Sequence, residues 1–209
     1  MIKKIILALI GFTIIGFCVA SLRVIDLGID PLGSMCLGLT DNFGLSFGAF
    51  LVIVQLPLLA LVFVKQKKLV GIGTIMGMFG IGYVVDFFFF LFTQAGIVDM
   101  AIPMPVRVVG IFIALLILCT GASIYMTADL GMIPYDSAGF VLEDMTKKRL
   151  QFRWIRLGMD GFCLVMALIL GATVGIATGA TVFLAGPLIG FIKPKVGSIL
   201  EKKFLRGSF

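Results

Sequence analysis

Long apolar runs alternate with short polar breaks along this chain. Stretches near 4–22, 47–64, 70–92, 106–127, 155–172 and 175–192 approach the ~20 residues a helix needs to cross a bilayer. Charged residues gather in the breaks, as at Lys65, Lys67 and Lys68 or at Lys147, Lys148 and Arg149. The pattern predicts six transmembrane helices and no large soluble domain.

Two breaks, 23–46 and 128–152, do not read as ordinary polar loops. The first holds Leu27, Ile29, Leu32, Met35, Cys36, Leu37 and Leu39. It also holds a helix start: Asp30 can cap free backbone N–H groups, and Pro31 suits the first helical position. That helix should run to about Asp41. In the second break Pro134 starts a helix with Asp136 in its first turn, running to about Asp144. Apolar-leaning segments of about 10–14 residues are too short to span, so each is expected to be a re-entrant or interfacial half-helix. Gly28 and Gly131 allow the sharp change of direction that precedes them.

The two breaks are copies of one another. Asp26-Leu27-Gly28-Ile29-Asp30-Pro31-Leu32-Gly33-Ser34 matches Asp129-Leu130-Gly131-Met132-Ile133-Pro134-Tyr135-Asp136-Ser137 in Asp, Leu, Gly, Pro and Ser, at an offset of 103 (Asp129 against Asp26). Val70-Gly71-Ile72-Gly73-Thr74 matches Val174-Gly175-Ile176-Ala177-Thr178 at an offset of 104, and Phe79 and Gly82 match Phe183 and Gly186 likewise. The expected fold class is an all-α membrane protein with six transmembrane helices in two three-helix repeats. These are residues 1–100 and 101–194, followed by a basic tail at 195–209.

Charge sets the orientation. With the N-terminus in the cytoplasm, all of the 17 Lys and Arg except Arg23 and Arg107 fall on the inner side. Three spans per repeat, an odd number, then turn the second copy upside-down, as in many transporters. The C-terminus is expected in the cytoplasm too. The net charge of +6 therefore reads as a topology device and a contact for anionic headgroups, and no nucleic-acid partner is expected. Lys3 and Lys4 before an apolar run resemble a signal peptide. Cys18 to Leu22 is a poor cleavage site, however, and the repeat needs this segment as its first helix, so a retained span is expected.

Composition agrees: 60% of the residues are hydrophobic and the mean hydropathy is +1.18. The absence of histidine excludes His-based zinc sites, His-ligated haem and His general-base catalysis. Cys18, Cys36, Cys119 and Cys163 are scattered and read as small apolar core residues. No cofactor and no metal are expected.

Candidate substrate- or ion-binding residues come from the motifs and from polar residues inside spans. The motifs offer Asp30, Ser34, Asp136 and Ser137, and the second matched segments offer Thr74 and Thr178. Half-helix N-termini carry free N–H donors and suit ion or substrate binding at the midplane. For Asp30 alone, capping is a sufficient explanation. Asp86 and Asp160 lie inside the third and fifth spans, where carboxylates are expensive and usually face the bundle interior. Asp160 corresponds to Gln55 in the first copy. A salt bridge to Arg156, one turn earlier, weighs equally with a substrate or proton role for Asp160. Asp86 has no cation near it in sequence, which makes it the better proton or cation candidate. Gly73, Gly77 and Gly80, against Ala177, Thr181 and Leu184, suggest close helix packing. Helix N-termini, Arg23 and Arg153 favour an anionic substrate, whereas the four Asp favour a cation or proton.

The D-L-G-x-x-P-x-x-S segments, the six-span layout and the basic inner loops together resemble the YczE/YyaS/YitT group of bacterial membrane proteins. The resemblance covers nearly the whole chain and implies a bacterial cytoplasmic membrane. It carries over no catalytic residues.

The function expected from these features is a small secondary transporter or exporter working by alternating access, not an enzyme. A passive channel is the second reading, since paired half-helices also suit a pore. A membrane-embedded binding subunit of a vitamin importer is the third. An intramembrane aspartyl protease using Asp86 and Asp136 finds no further motif, and a scaffold without transport is a last alternative. Expected partners are the lipid bilayer and a small solute or ion. A homodimer through Gly-rich faces fits a chain of this size.

Overall fold

The computed structural model describes residues 1–98, 100–147, 149–200 and 202. Of the basic residues above, Lys148, Lys203, Arg206 and the side chain of Arg153 lie outside the described residues. The described chain is all-helical: α1 (Ile2–Ile25), α2 (Pro31–Phe43), α3 (Phe47–Lys65), a 3-10 turn at Lys67–Leu69, α4 (Ile72–Gln94), α5 (Met104–Ala128), α6 (Pro134–Met145), α7 (Phe152–Ile169) and α8 (Ile176–Leu200). Helices α1, α3, α4, α5 and α8 are long and apolar enough to cross a membrane. Helix α7 sits where the fifth span was expected, but its 18 residues include Arg153, Arg156 and Asp160. It is the most amphipathic of the described helices.

The sequence copies fold into matching elements. Helices α1 and α5 both end on an aspartate in the left-handed region, Asp26 at φ 54° and Asp129 at φ 51°. Gly28 (φ 88°) and Gly131 (φ 108°) then turn the chain, and Pro31 and Pro134 open the short helices α2 and α6. At about 1.5 Å per residue, 13 and 12 residues make each about 20 Å long, well short of a bilayer's apolar core.

Helices α1 and α5 form the central pair and run antiparallel. Gly11, early in α1, meets Gly121 and Tyr125, late in α5, while Ile25 at the end of α1 meets Gly110 near the start of α5. A Cβ on Gly11 would lie 2.8 Å from the Gly121 carbonyl oxygen, so the small residues set this close approach. The Phe12 and Tyr125 rings pack beside it, tilted by 34° with centroids 5.1 Å apart. Helix α4 packs on α1 and α8 on α5. Gly73 and Gly77 approach Leu130, Ile133 and Phe12 as their spacing suggested, whereas Gly80 has open space around it.

Contacts between the halves come in exchanged pairs. The Gly73 amide donates to the Leu130 carbonyl at 2.8 Å, and the Ala177 amide donates to the Leu27 carbonyl at 3.0 Å. Gln66 Nε2 donates to Asp144 at 3.0 Å, and Asn42 Nδ2 donates to the Leu170 carbonyl at 2.8 Å. Helix α2 packs on α7, and α6 packs on α3. Each short helix is thus held by the other half of the chain. Thr74 and Thr178 stand at these junctions. Thr74 Oγ1 accepts from the Gly71 amide at 3.0 Å and Thr178 Oγ1 from the Gly175 amide at 3.5 Å.

The outer surface is apolar. Leu9, Phe63, Phe79, Phe87, Phe90, Phe112 and Phe183 are all exposed, as suits helices facing lipid. Within the phenylalanine run, Phe88 instead packs on Phe17 and Phe89 lies under Arg23. All four cysteines are free and buried.

Candidate functional site

The starts of α2 and α6 both face α7. Asp30 caps α2, accepting the Gly33 amide at 3.0 Å, so the capping role read from the sequence is realised. Asp136 sits in the first turn of α6, whose N-cap, Ile133, has no side chain able to accept a bond. Arg156 of α7 reaches Asp136 at 2.5 Å and Asp160, one turn along α7, at 3.5 Å. Asp30 lies close enough to Asp160 and Arg156 to interact electrostatically with both. Two carboxylates therefore pair with one guanidinium, a third, Asp30, lies within electrostatic reach, and the three come from three different helices or their caps.

Two tyrosines complete the cluster. Tyr125 Oη, from α5, donates to Asp136 at 2.7 Å. Tyr135 Oη, from α6, donates to Asp160 at 2.8 Å and lies 3.6 Å from Cys163 Sγ. The guanidinium of Arg156 stacks over the Tyr135 ring at 4.6 Å. Asp160 is 8% exposed, so its charge depends on these partners. Ser34 lies one turn after Asp30 on the same face of α2. Its Oγ is buried without a hydrogen-bond partner, and so is Gln55 Oε1 on α3. Ser137, the copy of Ser34, bonds instead to the Ile133 carbonyl of its own helix at 3.0 Å.

A cavity of about 630 Å³ opens beside this cluster, between α2, α3, α6 and α7. Both halves line it with matched residues: Leu39 and Leu142, Val54 and Met159, Pro57 and Phe162. Its walls are almost wholly apolar, and Tyr135 and Cys163 join them to the charged cluster.

The sequence-derived candidates thus divide. Asp30, Asp136 and Asp160 converge, with Ser34 adjacent. Asp86 stands apart. It accepts the Gly48 amide at 2.8 Å and pairs with Arg23 at 3.6 Å, and Arg23 also lies over the Phe89 ring. It therefore does have a cation, brought to it from α1. Asp86 and Asp136 each pair with a different arginine, so the carboxylate pair considered for a protease is not assembled. Thr74, Thr178 and Ser137 spend their hydroxyls on local backbone. Tyr125 and Cys163 were missed by the sequence reading. One signal was available for Tyr125: the chain has only three tyrosines. Nothing local marked Cys163.

Residues 2–194 match a protein family described as "Family of unknown function (DUF6198)". The chain belongs to this family. Among curated proteins it is similar to the uncharacterized membrane protein YczE of Bacillus subtilis (strain 168), at 26% identity over 175 residues, covering 84% of this chain and 78% of the relative. It is similar to the uncharacterized protein YyaS of the same organism at 26% identity over 198 residues, covering 94% of this chain and 93% of the relative. The resemblance read from the D-L-G-x-x-P-x-x-S segments is therefore correct. No solved structure matches the chain significantly. With its apolar helices and these relatives, the chain is a membrane protein.

Proposed function

We propose that this protein is a small secondary transporter of the bacterial cytoplasmic membrane. In this reading α7 crosses the bilayer as a sixth span, its charges turned inward. The two halves are inverted repeats, and α2 and α6 are re-entrant helices. The observation that carries the proposal is the meeting of the α2 and α6 first turns on Arg156 and Asp160. Discontinuous helices whose starts face each other near the midplane are how many transporters build a substrate site. The antiparallel α1–α5 pair and the exchanged contacts support the inverted relationship.

Alternating access then follows from the same contacts. Gln66 to Asp144 closes one face and Asn42 to Leu170 closes the other. Rocking one half against the other opens one closure while keeping its counterpart. A passive pore would leave both faces open together.

Thiol labelling separates the two mechanisms. In a cysteine-free background, Leu39→Cys and Leu142→Cys probe the cavity from its two ends. Alternating access predicts that cross-linking Gln66→Cys to Asp144→Cys raises outside labelling of Leu39→Cys. Cross-linking Asn42→Cys to Leu170→Cys should lower it. Labelling indifferent to both links would refute alternating access and favour the channel.

A further inference from the structure

We infer that the cavity between α2, α3, α6 and α7 takes a lipophilic cation: a compact apolar body carrying one positive charge. The inference rests on the transporter reading for its location and adds the class of ligand.

Two independent observations meet here. The first is shape and polarity. The cavity holds about 630 Å³, and Met35, Met159, Phe162 and Met166 line it with flexible or aromatic apolar groups. Methionine walls adapt to bodies of different outline. Inorganic ions and sugars would lose their hydration in such a space without replacement, so the occupant's bulk is apolar.

The second is charge. Asp30, Asp136 and Asp160 face one described cation, Arg156, which already binds two of them. The cluster therefore carries excess negative charge when its carboxylates are ionised. It touches the cavity wall through Tyr135, whose ring lines the cavity while its hydroxyl bonds Asp160. Ser34 Oγ, wholly buried on the Asp30 face of α2, has no partner. Gln55 Oε1 is a buried acceptor without a donor, on the turn of α3 between the lining residues Val54 and Leu58. Neither lines the cavity itself; both are buried, unpaired acceptors on helices that wall it, available to a protonated amine or weakly hydrated cation held there. The donors there are largely taken, Arg156 by Asp136 and Asp160 and the Gly33 amide at the α2 start by Asp30, so an anion would meet the excess negative charge, and like-charge juxtaposition is strongly unfavourable.

Equilibrium binding of tetraphenylphosphonium and tetraphenylborate to the purified, detergent-solubilised protein tests this. The two ions have nearly the same shape and opposite charge. Gly158 lines the cavity, and a Cβ there meets nothing within 4 Å, so the site admits a side chain and Gly158→Phe places bulk at the cavity wall. The variant also separates cavity binding from partition into the micelle. The expected result is saturable phosphonium binding at least ten-fold tighter than borate, lost in Gly158→Phe and weakened about ten-fold in Asp160→Asn. Equal binding of the two ions, preference for the borate, or phosphonium binding unchanged by Gly158→Phe would overturn the inference. Because the assay reads binding alone, it is separate from the labelling test of alternating access. A selective cation site in a protein that fails the labelling test keeps the ligand class and removes the transporter.

Discussion

Gly131 lies against Thr74 so closely that a Cβ at Gly131 would fall 2.6 Å from the Thr74 hydroxyl, and a Cβ at Gly28 would clash with the Thr178 hydroxyl in the same way. These two contacts lie where each half of the chain packs against the other. Both glycines also have positive φ, at 88° and 108°. Gly28→Ala and Gly131→Ala should therefore each cost on the order of 2 kcal/mol, combining backbone strain with the clash. Melting of the purified protein checks this, with Gly80→Ala as the comparison. Nothing lies within 4 Å of a Cβ at Gly80, and alanine improves helix propensity there, so its melting temperature should hold or rise.

Asp30 caps α2 and, in the proposed site, supplies a carboxylate, and substitution can separate the two. As the cap of α2 it accepts the Gly33 amide. Asp30→Ser keeps that acceptor and removes the charge. Stability should change little in Asp30→Ser and fall by about 1 kcal/mol in Asp30→Ala. Any ligand that depends on the carboxylate should weaken in both variants. Parallel melting and binding curves for the two give the answer. Equal loss of stability in both would show that the charge, not the cap, holds this turn.

Arg156 ties α7 to α6 and should be energetically coupled to Asp136. Removing either partner alone leaves a partly buried charge facing its former site. Arg156→Gln and Asp136→Asn are each expected to destabilise, and the double variant should be milder than their combined effect. The coupling should be about 1–2 kcal/mol, moderated because the Arg156 side chain is 34% exposed. A double-mutant cycle by thermal or denaturant melting reads it directly. Strict additivity would mean that the pair is solvated and structurally idle.

The tyrosines should rank by the carboxylate they serve. Tyr135→Phe removes a donor from Asp160, which is almost fully buried, and should cost about 1.5–2 kcal/mol. Tyr125→Phe removes a donor from Asp136, which keeps Arg156 at close range, and should cost less. Reversal of this order in melting experiments would show that Asp160 draws its stabilisation mainly from Arg156.

The repeat, the short helices and their starts were legible because their chemistry is local. Asp30, Pro31 and Gly28 specify a turn and a helix start within a few residues, and Pro134 and Gly131 do the same again. The apolar runs likewise revealed the spans to within a few residues, as with 47–64 against Phe47–Lys65. α7 departed from the pattern because the charges on its polar face lower its mean hydropathy below that of the other long helices. The cluster was only half legible. Arg156 and Asp160 are one helical turn apart and could be paired on paper. Tyr125, Asp136 and Arg156 meet only when α5, α6 and α7 pack together. The cation beside Asp86 comes from the far end of α1, so no reading of the third span alone could supply it.

The central claim is that the converging starts of α2 and α6 form a ligand site. Its most direct test is the melting temperature of the purified protein against a panel of metabolites, lipophilic ions and inorganic ions, repeated in Asp160→Asn and Asp86→Asn. A ligand that binds the folded state alone raises the melting temperature by mass action. The account predicts at least one stabilising compound whose effect vanishes in Asp160→Asn and survives in Asp86→Asn. Stabilisation that persists in Asp160→Asn, or that is lost only with Asp86, would place the site elsewhere and contradict it.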